Sequence, residues 1–323
     1  MSDCGAFDSG LCIHPDGLTS PCCVFDKNYF IHINDLDWND PWKNLKDGRG
    51  CSECQRSGVT PRDYYNQWSA PEFAVRYLDI RNTNTCNLEC AICNPYYSSK
   101  WAERLGLEKF VSTDFDVPLE DVQELYFAGG EPLLNPKHWQ VLSSIKNPQD
   151  IGLRYSSNLS TVKGLENFWP NFKHVDLMAS IDGVYEHGEF IRPGLNFARW
   201  EQNLSEVEKF GNVDITLYVT VSLLNVFQLK DIETYSKHRV KFNYLTEPDY
   251  LCISSLPADI KDTIVWPEQD DNVEWRNSLL QKDTSNLFEH SVSYTLLHDK
   301  VKNTNLWKYL PFEKYAIKRY MEY

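Results

Sequence analysis

The segment that decides the reading runs Phe73-Ala-Val-Arg-Tyr-Leu-Asp-Ile80, then Thr85-Cys86-Asn87-Leu88-Glu89-Cys90-Ala91-Ile92-Cys93-Asn94. The first part is short, apolar and rich in β-formers, and reads as a strand. The second places three thiols within eight positions, directly after that strand. Working outward, the same grammar repeats. Val122–Ala128, Gly152–Ser156, His174–Ser180, Val213–Val221 and Val240–Leu245 read as five further strands. Helical segments are expected at Tyr96–Leu107, His138–Lys146, Thr161–Phe168, Phe197–Phe210 and Val226–Lys237. Short strands alternating with helices predict a parallel sheet with helices outside it. Chemistry in such folds collects at the C-terminal ends of the strands.

Six units predict an α/β fold built as a partial (β/α)6 TIM-like barrel. A small N-terminal Cys-rich β-hairpin module is expected over residues 1–70, the barrel over 71–265 and a C-terminal helical extension over 266–323. The 323 residues carry 42% hydrophobic and 24% charged side chains, an ordinary globular balance. The net charge of −14 disfavours non-specific binding to nucleic acid or to an anionic membrane. The longest weakly charged apolar stretch, Ile215 to Leu229, is too short and too polar to span a bilayer. The N-terminus lacks the basic and apolar regions of a signal peptide. The chain is therefore expected to be cytoplasmic.

Nine of the ten cysteines fall within the first 93 residues. In a reducing compartment, clustering points to metal or redox chemistry rather than to disulfides. Three thiolates as close as Cys86, Cys90 and Cys93 can hold three corners of a four-iron four-sulfur cluster and leave one iron open. The alternative on spacing is zinc, which takes four ligands.

Cys86-x3-Cys90-x2-Cys93 after the first strand resembles the signature of the radical S-adenosylmethionine (radical SAM) superfamily. Ala128-Gly129-Gly130-Glu131-Pro132, after the second strand, is similar to that family's GGEP motif. Two glycines allow a close main-chain approach, and Glu131 is an acceptor for an ammonium. The resemblance implies that SAM chelates the open iron through its amino and carboxylate groups. It also implies SAM contacts from Ser157 and Asn158, from Ser180 and Asp182 in a segment similar to S-x-D-G, and from Val221. Arg192, in Phe190-Ile-Arg-Pro-Gly194, either pairs with the SAM carboxylate or makes a surface ion pair. Ile92 stands where the family often has an aromatic residue, and an aliphatic side chain can also pack on adenine. The resemblance covers about residues 73–250.

Pro15-Asp16-Gly17 reads as a hairpin turn, with Pro21-Cys22-Cys23 after it and Cys51-x2-Cys54 later. This arrangement resembles the Twitch module, the short relative of SPASM domains, which holds an auxiliary 4Fe–4S cluster. The resemblance implies Cys4, Cys22, Cys51 and Cys54 as its ligands, with Cys23 a possible substitute and Cys12 a packed thiol. A zinc ribbon on the same four thiols is the alternative. The module usually follows the barrel in this family; here it precedes it.

The activity implied is reductive cleavage of SAM to methionine and a 5′-deoxyadenosyl radical, which abstracts hydrogen from a small-molecule or peptide substrate. A one-electron donor such as flavodoxin or ferredoxin is implied as partner. An auxiliary cluster would accept the electron left on the substrate, giving net oxidation or a cross-link. Cys252 is either a hydrogen-atom donor, as in radical epimerases, or a buried small hydrophobe. The competing functions are an epimerase, a nucleotide-modifying enzyme and a non-catalytic metal-stabilised binding module.

Overall fold

The computed structural model describes residues 4–51, 54, 61–107 and 114–312. Nine strands form one open sheet in the order β3-β2-β1-β4-β5-β6-β7-β8-β9. They are β1 (Gly10–Ile13), β2 (Leu18–Ser20), β3 (Ile31–His32), β4 (Tyr77–Ile80), β5 (Glu124–Phe127), β6 (Gly152–Ser157), β7 (His174–Ser180), β8 (Val213–Val221) and β9 (Arg239–Tyr244). β4 to β9 are the six expected strands, and each pairs in parallel with the next.

The hairpin at Pro15-Asp16-Gly17 forms, with Gly17 at φ +79 and β1 antiparallel to β2. Its first strand also pairs in parallel with β4. The sheet therefore runs on through the N-terminal segment, which sequence patterning did not anticipate because that pairing joins residues about 67 positions apart, such as Leu11 and Leu78.

In-register partners share a face, so each face can be read across the strands. Leu11, Leu78, Leu125, Leu153 and Val175 make one row, and Ile13, Ile80, Phe127, Tyr155 and Leu177 the next. All ten are buried, and they form the core beneath the helices. The opposite face is polar: Cys12, Asp79, Tyr126, Arg154, Asp176 and Asp214 lie in one register row. Over it sits the segment after the Pro61–Asn66 helix begins, where Tyr65, Trp68 and Tyr77 pack edge to face. Arg154 lies over the ring of Tyr64, and Arg81 is paired to Asp79 through two bonds of 2.8 and 3.0 Å.

The helices differ from expectation in two places. Thr161–Phe168 is not an α-helix but leads into two short 3-10 turns, Leu165–Asn167 and Trp169–Asn171. Gly164 at φ +96 and Pro170 interrupt it. A helix over Tyr185–Ile191 was not anticipated, and it carries Gly188 in its middle and no side-chain N-cap. The C-terminal extension holds helices Val273–Gln281 and Phe288–Lys302 and a 3-10 turn at Leu306–Tyr309. The expected helix beyond residue 312 lies outside the described residues. Among the described residues no helix is long and apolar enough to cross a membrane.

Candidate functional site

Cys86, Cys90 and Cys93 lie on the loop that follows the C-terminal end of β4. Two neighbours fix that loop. On one side, Glu89 N donates to Pro193 O at 3.0 Å and Ala91 N to Ile191 O at 2.7 Å. On the other, Ser99 Oγ accepts from Cys86 N at 3.1 Å, and Ser98 caps the Ser99–Arg104 helix while donating to Leu88 O at 2.9 Å. Trp101 Nε1 donates to Cys90 O at 2.9 Å.

The three thiols are buried, and burial raises all three pKa values, that of Cys86 to about 12. Arg192 opposes the shift at each of them, so its positive charge faces the triad. Arg192 donates Nε to Asp182 Oδ2 at 2.8 Å, and Asp182 Oδ1 accepts from Thr220 N at 2.9 Å. Both residues are buried, so the pair belongs to the interior and not to the surface. No hydrogen-bond partner is found for the two terminal guanidinium nitrogens among the described residues.

Asn158, past the end of β6, directs its amide at Cys86 Sγ (3.9 Å) and Asn87 Oδ1 (3.1 Å). It is held there by Glu131, whose carboxylate accepts from Asn158 N and Ser157 Oγ, both at 2.7 Å, and from Leu133 N at 3.2 Å. Burial pushes the Glu131 carboxyl up to about 7 despite these donors. Glu131 is thus turned inward and ties the β5 loop to the end of β6. The expected ammonium acceptor on its side chain is already engaged. The two glycines have a different reason than ligand approach. A Cβ on Gly130 would lie 2.2 Å from Thr85 O, and Gly129, at φ +102, packs on Arg81 and Thr83. They let the β5 loop lie against the main chain that leads into Cys86.

The remaining expected residues divide. Ser180 is half-buried on the polar face, in register with Tyr218. Pro132 is buried and starts a 3-10 turn capped by Glu131. Ile92 is partly buried against the main core. Val221 is fully buried on the helix-packed face and presents no surface to a ligand. Cys252 is buried too, with Sγ 3.5 Å from Pro248 O, and burial pushes its thiol up to about 12.

Cys4, Cys22, Cys51 and Cys54 line one small cavity whose other walls include Phe7, Val24, Phe25 and Tyr65. Burial pushes the Cys22 thiol well up, with Cys23, Cys4 and Cys51 adding to the shift. Cys12 and Cys23 do not line that cavity; Cys12 is fully buried in register with Asp79.

Both thiol groups can be tested against the metals they might hold. Among the described residues, no three thiol sulfurs lie within 4.8 Å of one another. Four thiolates around one zinc would stand about 3.8 Å apart, from Zn–S bonds near 2.3 Å. A wider, mostly apolar cradle of thiols fits the larger four-iron cluster.

Sequence reasoning missed the residues that close the loop from the far end of the chain. Tyr294 and Lys302, both on the Phe288–Lys302 helix, bond to Ala91 O and to the Glu89 carboxylate. Lys302 also sits over the Trp101 ring at 4.9 Å. Only Ser98, as an N-cap three residues before Trp101, left a local signal. A cavity of about 870 Å³ opens beside Cys93, lined by Trp101, Glu247, Tyr250, Trp275, Lys282 and Tyr294 among others.

No family model and no curated protein matches the chain. Solved structures similar to it include anSMEcpe with bound AdoMet and the Cp18Cys peptide, at 16% identity over 50% of this chain and 48% of that one, TM-score 0.37. A second is anSMEcpe with bound AdoMet and the Kp18Cys peptide, at 17% identity, 53% and 52% coverage and TM-score 0.39. A third is Streptococcus suis SuiB bound to precursor peptide SuiA, at 15% identity, 78% and 55% coverage and TM-score 0.40. The chain spans about half the length of each of these. Likenesses this weak carry no argument about its chemistry.

Proposed function

We propose that the protein is a radical SAM enzyme acting on a small-molecule or peptide substrate. The observation that carries the proposal is the convergence on Cys86, Cys90 and Cys93 of a buried arginine, Arg192, and an amide, Asn158. Each comes from the C-terminal side of a different strand. In this reading the three thiolates hold a 4Fe–4S cluster, and Cys4, Cys22, Cys51 and Cys54 hold an auxiliary one. When bound, the first cluster and SAM supply reductive cleavage of a carbon–sulfur bond and hence hydrogen abstraction from an unactivated carbon.

The chain's own residues bind, orient and shield. Arg192 offers its terminal nitrogens to the SAM carboxylate, and Asp182 fixes its plane by taking Nε. Glu131 is a positioning residue that sets Asn158 against Cys86. Tyr294, Lys302 and Trp101 hold the C-terminal helix over the loop and limit water. The cavity beside Cys93 has the size of a ligand site and aromatic walls. A flavodoxin or ferredoxin is the donor class this chemistry requires. The interior position of Cys252 favours a packed thiol, which leaves the epimerase alternative without its donor.

The test is electron paramagnetic resonance on the reduced Cys51→Ala protein, reconstituted without air. The account expects a reduced-cluster signal that changes shape on adding SAM and is absent in Cys90→Ala. A signal indifferent to SAM overturns it.

A further inference from the structure

The first residues of three neighbouring strands make a second grouping, at the end of the sheet opposite the cysteine loop. Glu124 of β5 is in register with Gly152 of β6, which is in register with His174 of β7. Gly152 has no side chain to keep its neighbours apart. A Cβ there would lie 2.1 Å from Glu124 Oε2 and 2.5 Å from His174 Nε2, so the two side chains meet above the glycine. Asp176, two residues beyond His174 on the same face, joins them. One ligating atom from each of the three lies within 4.8 Å of the other two.

Two observations point to a missing ion. The Glu124 Oε2 to His174 Nε2 separation is 3.4 Å. That is longer than the roughly 2.7–3.2 Å of an N–H···O hydrogen bond. It equals the edge of about 3.3–3.4 Å between two ligands held about 2.0–2.1 Å from one tetrahedral ion. Glu124 is also buried, with a side chain 7% exposed, and no hydrogen bond reaches it among the described residues. A buried carboxylate without donors is costly unless a cation satisfies it.

We propose that Glu124, His174 and Asp176 bind a divalent transition-metal ion, zinc by the chemistry of the donors, at the N-terminal ends of β5 and β7. One imidazole and two carboxylates form a set that zinc takes readily, and two carboxylates balance its charge. The cations facing the site are Lys173 and Arg154. Arg154 Nε is 3.9 Å from Asp176, and its guanidinium is drawn over the rings of Tyr64 and Tyr126, 4.7 and 5.5 Å from their centroids. Three protein ligands leave a position for water or for a substrate carboxylate. The site uses no cysteine and stands independently of the SAM chemistry.

The experiment loads the full-length protein with zinc, removes excess by gel filtration and counts the metal by mass spectrometry, in wild type, His174→Ala, Asp176→Asn and Glu124→Gln. His174 and Asp176 are 41% and 45% exposed in their side chains, so those two variants test the site without opening the core. Zinc-edge X-ray absorption separates a nitrogen and oxygen shell at about 2.0 Å from sulfur at about 2.3 Å. The expected result is about one zinc fewer in each variant, with loss of the nitrogen and oxygen shell. Equal zinc in wild type, His174→Ala and Asp176→Asn overturns the proposal, as does a sulfur shell for the zinc that is lost.

Discussion

Tyr294, on the Phe288–Lys302 helix, donates its phenol to the main-chain carbonyl of Ala91, 2.5 Å away and 203 residues earlier in the chain. Ala91 lies between Cys90 and Cys93, so the last long helix is anchored on the loop that carries the thiols. Tyr294→Phe removes that one bond, about 1 kcal/mol, and keeps the ring packed. The expected outcome is a loss of iron to a chelator several-fold faster, with an unchanged circular dichroism spectrum. Unchanged release would place the helix outside the cluster's protection.

Arg192 and Asp182 are a buried pair, with side chains 9% and 0% exposed. Arg192→Leu strands the Asp182 carboxylate and is expected to destabilise the fold by about 3–5 kcal/mol. Arg192→Lys keeps the charge but cannot bond Asp182 and a second carboxylate in one plane. It is expected to raise the KM for SAM about tenfold, about 1.4 kcal/mol of lost binding, with a smaller change in kcat. Steady-state assays of deoxyadenosine release check this split.

The four-thiol cavity separates the ten cysteines into classes that iron analysis can read. Cys22→Ala and Cys51→Ala are each expected to fall from about eight irons per chain to about four. Cys12→Ala and Cys23→Ala are expected to keep about eight, because neither lines the cavity. Retained iron in Cys22→Ala with loss in Cys23→Ala would exchange their roles.

Much of this arrangement was legible because it is local. The strands His174–Ser180 and Val213–Val221 match their expected limits, since long alternation of apolar and polar residues marks a strand with one face buried. The triad loop was legible because its thiols are eight residues apart at most. The parallel pairing of β1 with β4 and the clasp of Tyr294 on Ala91 were not, because nothing in a short window encodes a partner tens or hundreds of residues away. The Gly129-Gly130 pair was visible, but its cause was not: the atoms that exclude a Cβ belong to Arg81, Thr83, Asn84 and Thr85. The inward turn of Glu131 was likewise hidden, because its donors, Ser157 and Asn158, sit on the next strand.

His138 is fully buried in the Pro136–Ser144 helix, with Nε2 2.8 Å from the Tyr155 hydroxyl. Burial holds its pKa down to about 3, against 6.5 when free. The unfolded chain therefore binds a proton that the folded chain refuses at any pH between those values. Its contribution to stability is complete above about pH 6.5 and is lost as pH falls toward about 3, with a slope of about 1.4 kcal/mol per unit. His14 and His187, held down to about 3 and about 4, act in the same direction. Between about pH 7 and about pH 5, His138→Gln is expected to lose less stability than wild type by about 2 kcal/mol. Urea unfolding at the two pH values checks it, and equal losses would mean that His138 titrates in the folded protein.

The most direct measurement is release of 5′-deoxyadenosine. The protein is reconstituted with iron and sulfide without air, given SAM and dithionite, and assayed by mass spectrometry beside the variants Cys86→Ala, Cys90→Ala, Cys93→Ala and Cys51→Ala. Product from wild type and from Cys51→Ala, with none from the other three, is the predicted result. No product from wild type carrying a full complement of iron, or equal product after loss of Cys90, would contradict it.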